Sequence, residues 1–123
     1  MSKQVVFTKQ APLPAGPYSQ AIIANGFVFV AGQRPQDPKT GIIPETIQEQ
    51  TSQCILNIKS ILEASGSSLK NIVRSDVYLS DIGNFDAMNE IYRILMPEPF
   101  PSRTTIGTQL RNILVEIEVI ATI

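Results

Sequence analysis

The 123-residue sequence contains no histidine, no tryptophan and a single cysteine, Cys54. Without histidine, a Ser-His-Asp triad, a Cys-His dyad and a Cys/His zinc site are excluded, and one thiol cannot close an intrachain disulfide. Charge of either sign is not in excess: ten Lys and Arg stand against eleven Asp and Glu, for a formal net charge of −1. The basic residues are scattered singly, so a dedicated nucleic-acid-binding surface is not expected. No apolar run approaches the ~18 residues of a membrane span, and Met1-Ser2-Lys3-Gln4 leads into no signal-peptide-like stretch. A free thiol fits a reducing compartment, so a cytoplasmic location is expected. Any chemistry must come from carboxylates, arginine, hydroxyls, water and backbone.

What is present suits a single domain over residues 1–123, because 43% hydrophobic content supports a modest core that an oligomer can supplement. Ala11-Pro12-Leu13-Pro14-Ala15-Gly16-Pro17 cannot be helix or strand interior, since proline lacks the donor and fixes φ; it is a stiff loop, either a spacer or a wall. Gln20 to Ala24 and Phe27 to Ala31 are β-rich runs joined by Asn25-Gly26, which suits a type I′ turn, and they predict a hairpin. Thr46-Ile47-Gln48-Glu49 has capping-box spacing. Ile47, Cys54, Ile55, Ile58, Ile61 and Leu62 then mark the apolar stripe of a helix that stops at Gly66. Ile72 to Leu79 reads as a third strand, with Val73, Val77 and Leu79 on one side. A second helix is expected from about Asn84 to Leu95, striped by Phe85, Met88, Tyr92 and Leu95 and ended by the proline run from Pro97 to Pro101. Two strands, about Arg103 to Leu110 and about Ile113 to Ile123, close the chain and are expected to form a hairpin turning near Arg111-Asn112.

The order β-β-α-β-α-β-β predicts an α+β fold, a mixed sheet with two helices on one face, since each helix has one stripe to bury. The opposite face carries Leu114 and Ile120 beside Glu116 and Glu118, too apolar for water and too charged for a dry core. It is expected to meet copies of itself in a closed homo-oligomer with polar pockets at the seams.

Arg103 opens a strand after a proline-rich turn, where its fork of donors can hold a small carboxylate bidentately. If the closing hairpin has an even loop, Arg103, Thr105 and Glu116 share one sheet face, an anchor beside a potential base. The alternative is a structural ion pair of Arg103 with Glu116 or Glu118, and the residues alone favour it. Cys54, Tyr78 and Tyr92 read as packing residues, and no phosphate-binding glycine loop is present.

Five segments, taken in order, resemble the successive motifs of the Rid family, the reactive intermediate deaminases, also known as YjgF-like or L-PSP proteins. They are Gly16-Pro17-Tyr18-Ser19-Gln20-Ala21, Phe29-Val30-Ala31-Gly32-Gln33-Arg34-Pro35 with Asp37-Pro38, Met88-Asn89-Glu90-Ile91-Tyr92, Pro101-Ser102-Arg103, and Val115 to Ala121. Each motif is short; their order over nearly the whole chain makes the resemblance specific. It implies a chorismate-mutase-like α+β fold and a homotrimer with active sites between subunits. It also implies hydrolysis of enamines and imines such as 2-aminoacrylate and 2-aminocrotonate to 2-oxo acids and ammonia, with no cofactor and no metal. By position, Arg103 matches the carboxylate-binding arginine and Glu116 the glutamate that positions or activates water. Thr105 and Gly32 would meet the substrate through backbone, Tyr18 would wall the pocket from the neighbouring subunit, and Asn89 matches a recurrent asparagine. A solution-like pKa for Glu116 would already leave it ionised.

The sequence departs from that pattern at Ala31, where serine is usual, at Arg34, where an aliphatic residue is usual, and in a segment from Ile106 to Leu114 about two residues short. These changes surround the expected cleft and bear on substrate range. Two rival functions are an L-PSP-type endoribonuclease, against which charge and the missing histidine stand, and a non-catalytic binder of small carboxylates.

Overall fold

Proline spacing and apolar periodicity resolve into eight regular elements in the computed structural model, which describes residues 2–123. These are β1 (Gln4–Val6), β2 (Ala21–Ala24), β3 (Phe27–Gln33), α1 (Ile47–Ala64), β4 (Ile72–Leu79), α2 (Phe85–Leu95), β5 (Ser102–Gly107) and β6 (Val115–Thr122). The strands form one mixed sheet in the order β1-β2-β3-β6-β4-β5. Asn25 and Gly26 both take positive φ, 53° and 80°, which closes the β2–β3 hairpin with the twist its strands need. The capping box forms as well: Thr46 accepts from the Glu49 amide at 3.1 Å, and all six residues of the expected α1 stripe are buried.

Both helices lie on one face of the sheet. On that face Val28, Val30, Val77, Leu79, Val115, Ile117, Val119 and Ala121 meet Cys54, Ile55, Ile58, Leu62, Met88 and Tyr92 in a continuous core. The outer face has no covering layer among the described residues, and Phe27 and Phe29 remain 37% and 44% exposed there. Along β6, core residues alternate with Glu116, Glu118, Ile120 and Thr122 on the outer side.

Three expectations are corrected. The closing strands do not form a hairpin. β5 pairs in parallel with β4, Ser75 opposite Arg103 and Val77 opposite Thr105, whereas β6 runs antiparallel between β3 and β4. The reason lies in α2, a crossover helix that lets β5 return parallel beside β4, while residues 108–114 carry the chain back across to the sheet centre. Val73 is not on the core face: a bulge between Ile72 and Arg74 turns it outward, and Ile72 and Ser75 are buried instead. An additional strand, β1, pairs antiparallel with β2.

Candidate active site

Arg103 leaves β5 on the helix side of the sheet. Its guanidinium carbon lies 4.7 Å from the ring centroid of Tyr92 and 5.6 Å from that of Phe85, so two aromatic faces of α2 hold the charge. Among the described residues the one ion pair is Arg74–Asp76, at 2.8 Å. The pairing of Arg103 with Glu116 or Glu118, favoured by the residues alone, is therefore not made. Arg103 instead borders a cavity of about 230 Å³ shared with Asn89, Tyr92, Arg93, Phe100 and Pro101.

Thr105 follows on the same side of β5. Its Oγ1, with Ser75 Oγ and Tyr92 Oη, is buried without a hydrogen-bond partner, leaving three hydroxyls unsatisfied around the strand that bears Arg103. A buried polar group left unpaired costs about 1–3 kcal/mol, and the Ser75 and Tyr92 hydroxyls lie close enough to relieve part of that cost mutually. Burial lifts the Tyr92 phenol above its ordinary pKa, opposed by the neighbouring Ser75 hydroxyl and the Arg103 charge. Sequence reasoning passed over Ser75 and took Tyr92 as packing, because their proximity to Arg103 depends on the β4–β5 pairing.

Glu116 occupies the outer face, from the centre of the sheet. Beside it β3 carries a bulge between Val30 and Gln33, which brings the Gly32 backbone against the carboxylate. A Cβ at Gly32 would overlap the Glu116 carboxylate, with Cδ only 3.1 Å away, so any side chain there would push the carboxylate out of its place. The proline-rich loop is a wall: Gln20, fully buried, accepts from the Thr8 amide at 2.7 Å and donates to the Thr8 and Pro12 carbonyls at 2.9 Å. Tyr18 Oη accepts from the Ala15 amide at 3.0 Å at the end of that wall. Ala15, Gly16, Pro17, Tyr18, Arg34, Arg111 and Glu116 together line a cleft of about 580 Å³.

Helix α1 braces this cleft from behind. Gln50 accepts from the Leu114 amide at 2.8 Å, Cys54 Sγ donates to the Gln33 carbonyl at 3.2 Å, and Asn57 donates to the Arg34 and Gln36 carbonyls at 3.0 and 2.9 Å. These residues recur at i, i+4 and i+7, one helix face, and they fix the end of β3 and the approach to β6 on either side of Glu116. Burial raises the Glu116 pKa above the ordinary carboxylate value; Arg34 pulls it down and Glu118 pushes it up. The carboxyl is therefore not solution-like. Farther along the same face Tyr78 hydrogen-bonds Glu118, which pushes the phenol up to about 12.

The expected sharing of one face by Arg103, Thr105 and Glu116 does not occur. Arg103 is level with Ser75 and Glu116 with Tyr78, on opposite faces and with β4 between β5 and β6. Their backbones are roughly 10 Å apart along the strands and roughly 10 Å across them. Tyr18, Gly32 and Glu116 gather in one half-site; Asn89, Arg103 and Thr105 gather in the other.

Residues 8–123 match the family model described as Endoribonuclease L-PSP. A RutC family protein of Pyrococcus abyssi is 48% identical over 124 residues, covering 98% of each chain. Reactive Intermediate Deaminase A, chloroplastic, of Arabidopsis thaliana is 40% identical and covers all of this chain and 67% of its own. The crystal structure of E. coli TdcF with bound serine superimposes with a TM-score of 0.93 at 31% identity, covering 98% of both chains.

Proposed function

The chain belongs to the endoribonuclease L-PSP family, the Rid family of its sequence motifs, and from that premise we propose that it hydrolyses 2-imino and 2-enamino acids to 2-oxo acids and ammonia. The observation that carries this reading is the Arg103 guanidinium, without a carboxylate partner among the described residues and held on Tyr92 and Phe85 beside a cavity. Arg103 clasps the substrate carboxylate bidentately and so orients the imine. Glu116 accepts a proton from water as its oxygen adds to the imine carbon, passes a proton to the nitrogen of the tetrahedral adduct, and takes the adduct's hydroxyl proton as the carbonyl forms and the C–N bond breaks to release ammonia. Its raised pKa makes it a better acceptor near neutral pH than an ordinary carboxylate. An imine carbon is already electrophilic, so orientation of water and carboxylate supplies much of the rate.

Because Arg103 and Glu116 lie on opposite faces, the two act on one substrate only when one chain supplies the anchor and a neighbour supplies Glu116, Gly32 and Tyr18. A homotrimer closed through the uncovered sheet face meets that requirement three times by symmetry. The relative named Reactive Intermediate Deaminase A and the serine bound to TdcF support a small amino-acid-derived ligand.

The family description also names an endoribonuclease, and RNA cleavage is the second reading. Against it stand the net charge of −1, the absence of histidine and the lack of clustered basic residues. One experiment separates them: purified protein is coupled to a threonine dehydratase that releases 2-aminocrotonate, and incubated in parallel with labelled RNA. Accelerated loss of the imine with intact RNA is expected. RNA cleavage without imine hydrolysis reverses the assignment.

A further inference from the structure

The cleft that holds Glu116 carries more positive charge than the reaction above uses. Arg34, just beyond β3, and Arg111, in the β5–β6 connection, both line it, and Glu116 is the one carboxylate among its lining residues. Arg34 Nη1 donates to the Arg111 carbonyl at 3.2 Å, which sets the guanidinium against the cleft wall. The backbone from which Arg34 springs is clamped by Asn57, itself fully buried, through the Arg34 and Gln36 carbonyls. Neither arginine has a carboxylate within salt-bridge distance among the described residues. Arg34 also borders the adjoining pocket with Tyr18 and Gly32, and its charge reaches the Glu116 carboxylate.

We propose that Arg34, seconded by Arg111, is a specificity-determining anion subsite, and that the preferred substrates are imino or enamino dicarboxylic acids with a short side chain. This rests on the deaminase reading. With Arg103 and Arg93 of the neighbour's cavity the assembled site holds four guanidinium groups against one carboxylate. A monoacidic substrate leaves it two positive charges in excess, and a diacidic one leaves a single charge. Arg103 takes the carboxylate next to the imine carbon, and Arg34 meets the second one across the cleft, a geometry suited to its fork of donors.

The test uses the full chain and imines generated in situ by amino-acid oxidases from glutamate and from norvaline, its chain-length-matched monoacid. Imine loss is followed by trapping with semicarbazide. The wild-type protein is expected to show the higher kcat/KM for the glutamate-derived imine. Arg34→Met should cut the diacid-to-monoacid ratio about tenfold, the usual discrimination of one charge-assisted contact, and Arg34→Lys should keep part of it. Hydrolysis of the monoacid imine with no diacid preference, or an unchanged ratio in Arg34→Met, overturns the subsite and leaves the deaminase reading standing. Hydrolysis of neither imine overturns that reading. Calorimetric binding of 2-oxoglutarate against 2-oxopentanoate then still decides the subsite, with equal affinities counting against it.

Discussion

The Arg103 and Glu116 half-sites are built by opposite means. Around Arg103 the edge strand β5 and helix α2 leave space: the guanidinium rests on two aromatic rings, three hydroxyls are unsatisfied, and a cavity adjoins them. Around Glu116 the centre of the sheet is crowded: a bulge presses Gly32 against the carboxylate, and three side chains of α1 pin the flanking backbone. A ligand anchor tolerates openness, since the ligand completes its contacts. A base that must meet water at one angle needs its surroundings fixed beforehand. The difference teaches that one face of the chain carries an open, aromatic-held cation and the other a carboxylate fixed by its surroundings; the proposed reaction needs both.

The sharpest way to break that comparison is to separate the two halves genetically. Arg103→Ala and Glu116→Gln should each lose imine hydrolysis almost completely. If both are unfolded together and refolded as a mixture, about a quarter of wild-type activity should return, because about three quarters of three-chain rings are mixed and every mixed ring carries one intact seam of its three. No recovery would mean that both residues serve the same seam from one chain. Next in size is Gly32→Ala, whose methyl group would displace the Glu116 carboxylate. It should lower kcat about ten- to a hundredfold with little change in KM, and a pure KM effect would assign Gly32 to substrate binding instead. The smallest effect concerns pH. The proposed reaction uses Glu116 ionised, and its pKa lies above the ordinary value, so kcat should fall as pH drops through that raised pKa. Arg34→Met removes the cation that pulls the pKa down and should move this acid limb to higher pH. A pH–rate profile displaced the other way would show that Arg34 acts on something other than Glu116.

Much of the scaffold was legible because its signals are local. The α1 stripe from Ile47 to Leu62, the Asn25-Gly26 turn and the alternation of β6 each follow from period, cap or turn chemistry within one segment. Strand order is not local. Alternation says which side chains of β5 and β6 share a face with their own neighbours, but not which strand lies alongside, so Arg103 and Glu116 were expected on one face and stand on two. The strand–helix–strand pattern of β4, α2 and β5 was the signal that could have revealed the parallel pairing. Ser75 and the Tyr92 hydroxyl stayed hidden for the same reason. β1 was missed because it spans three residues, two of them exposed.

Cys54 lies beneath the braced half-site, its thiol turned toward the Gln33 and Val115 carbonyls, and burial pushes its pKa far above that of a free thiol. While α1 stays seated, an alkylating reagent finds neither access nor thiolate. The sulfur therefore keeps time for the molecule: each labelling event records a moment at which the helix has parted from β3 and β6, and the frequency of such openings can be counted at one atom.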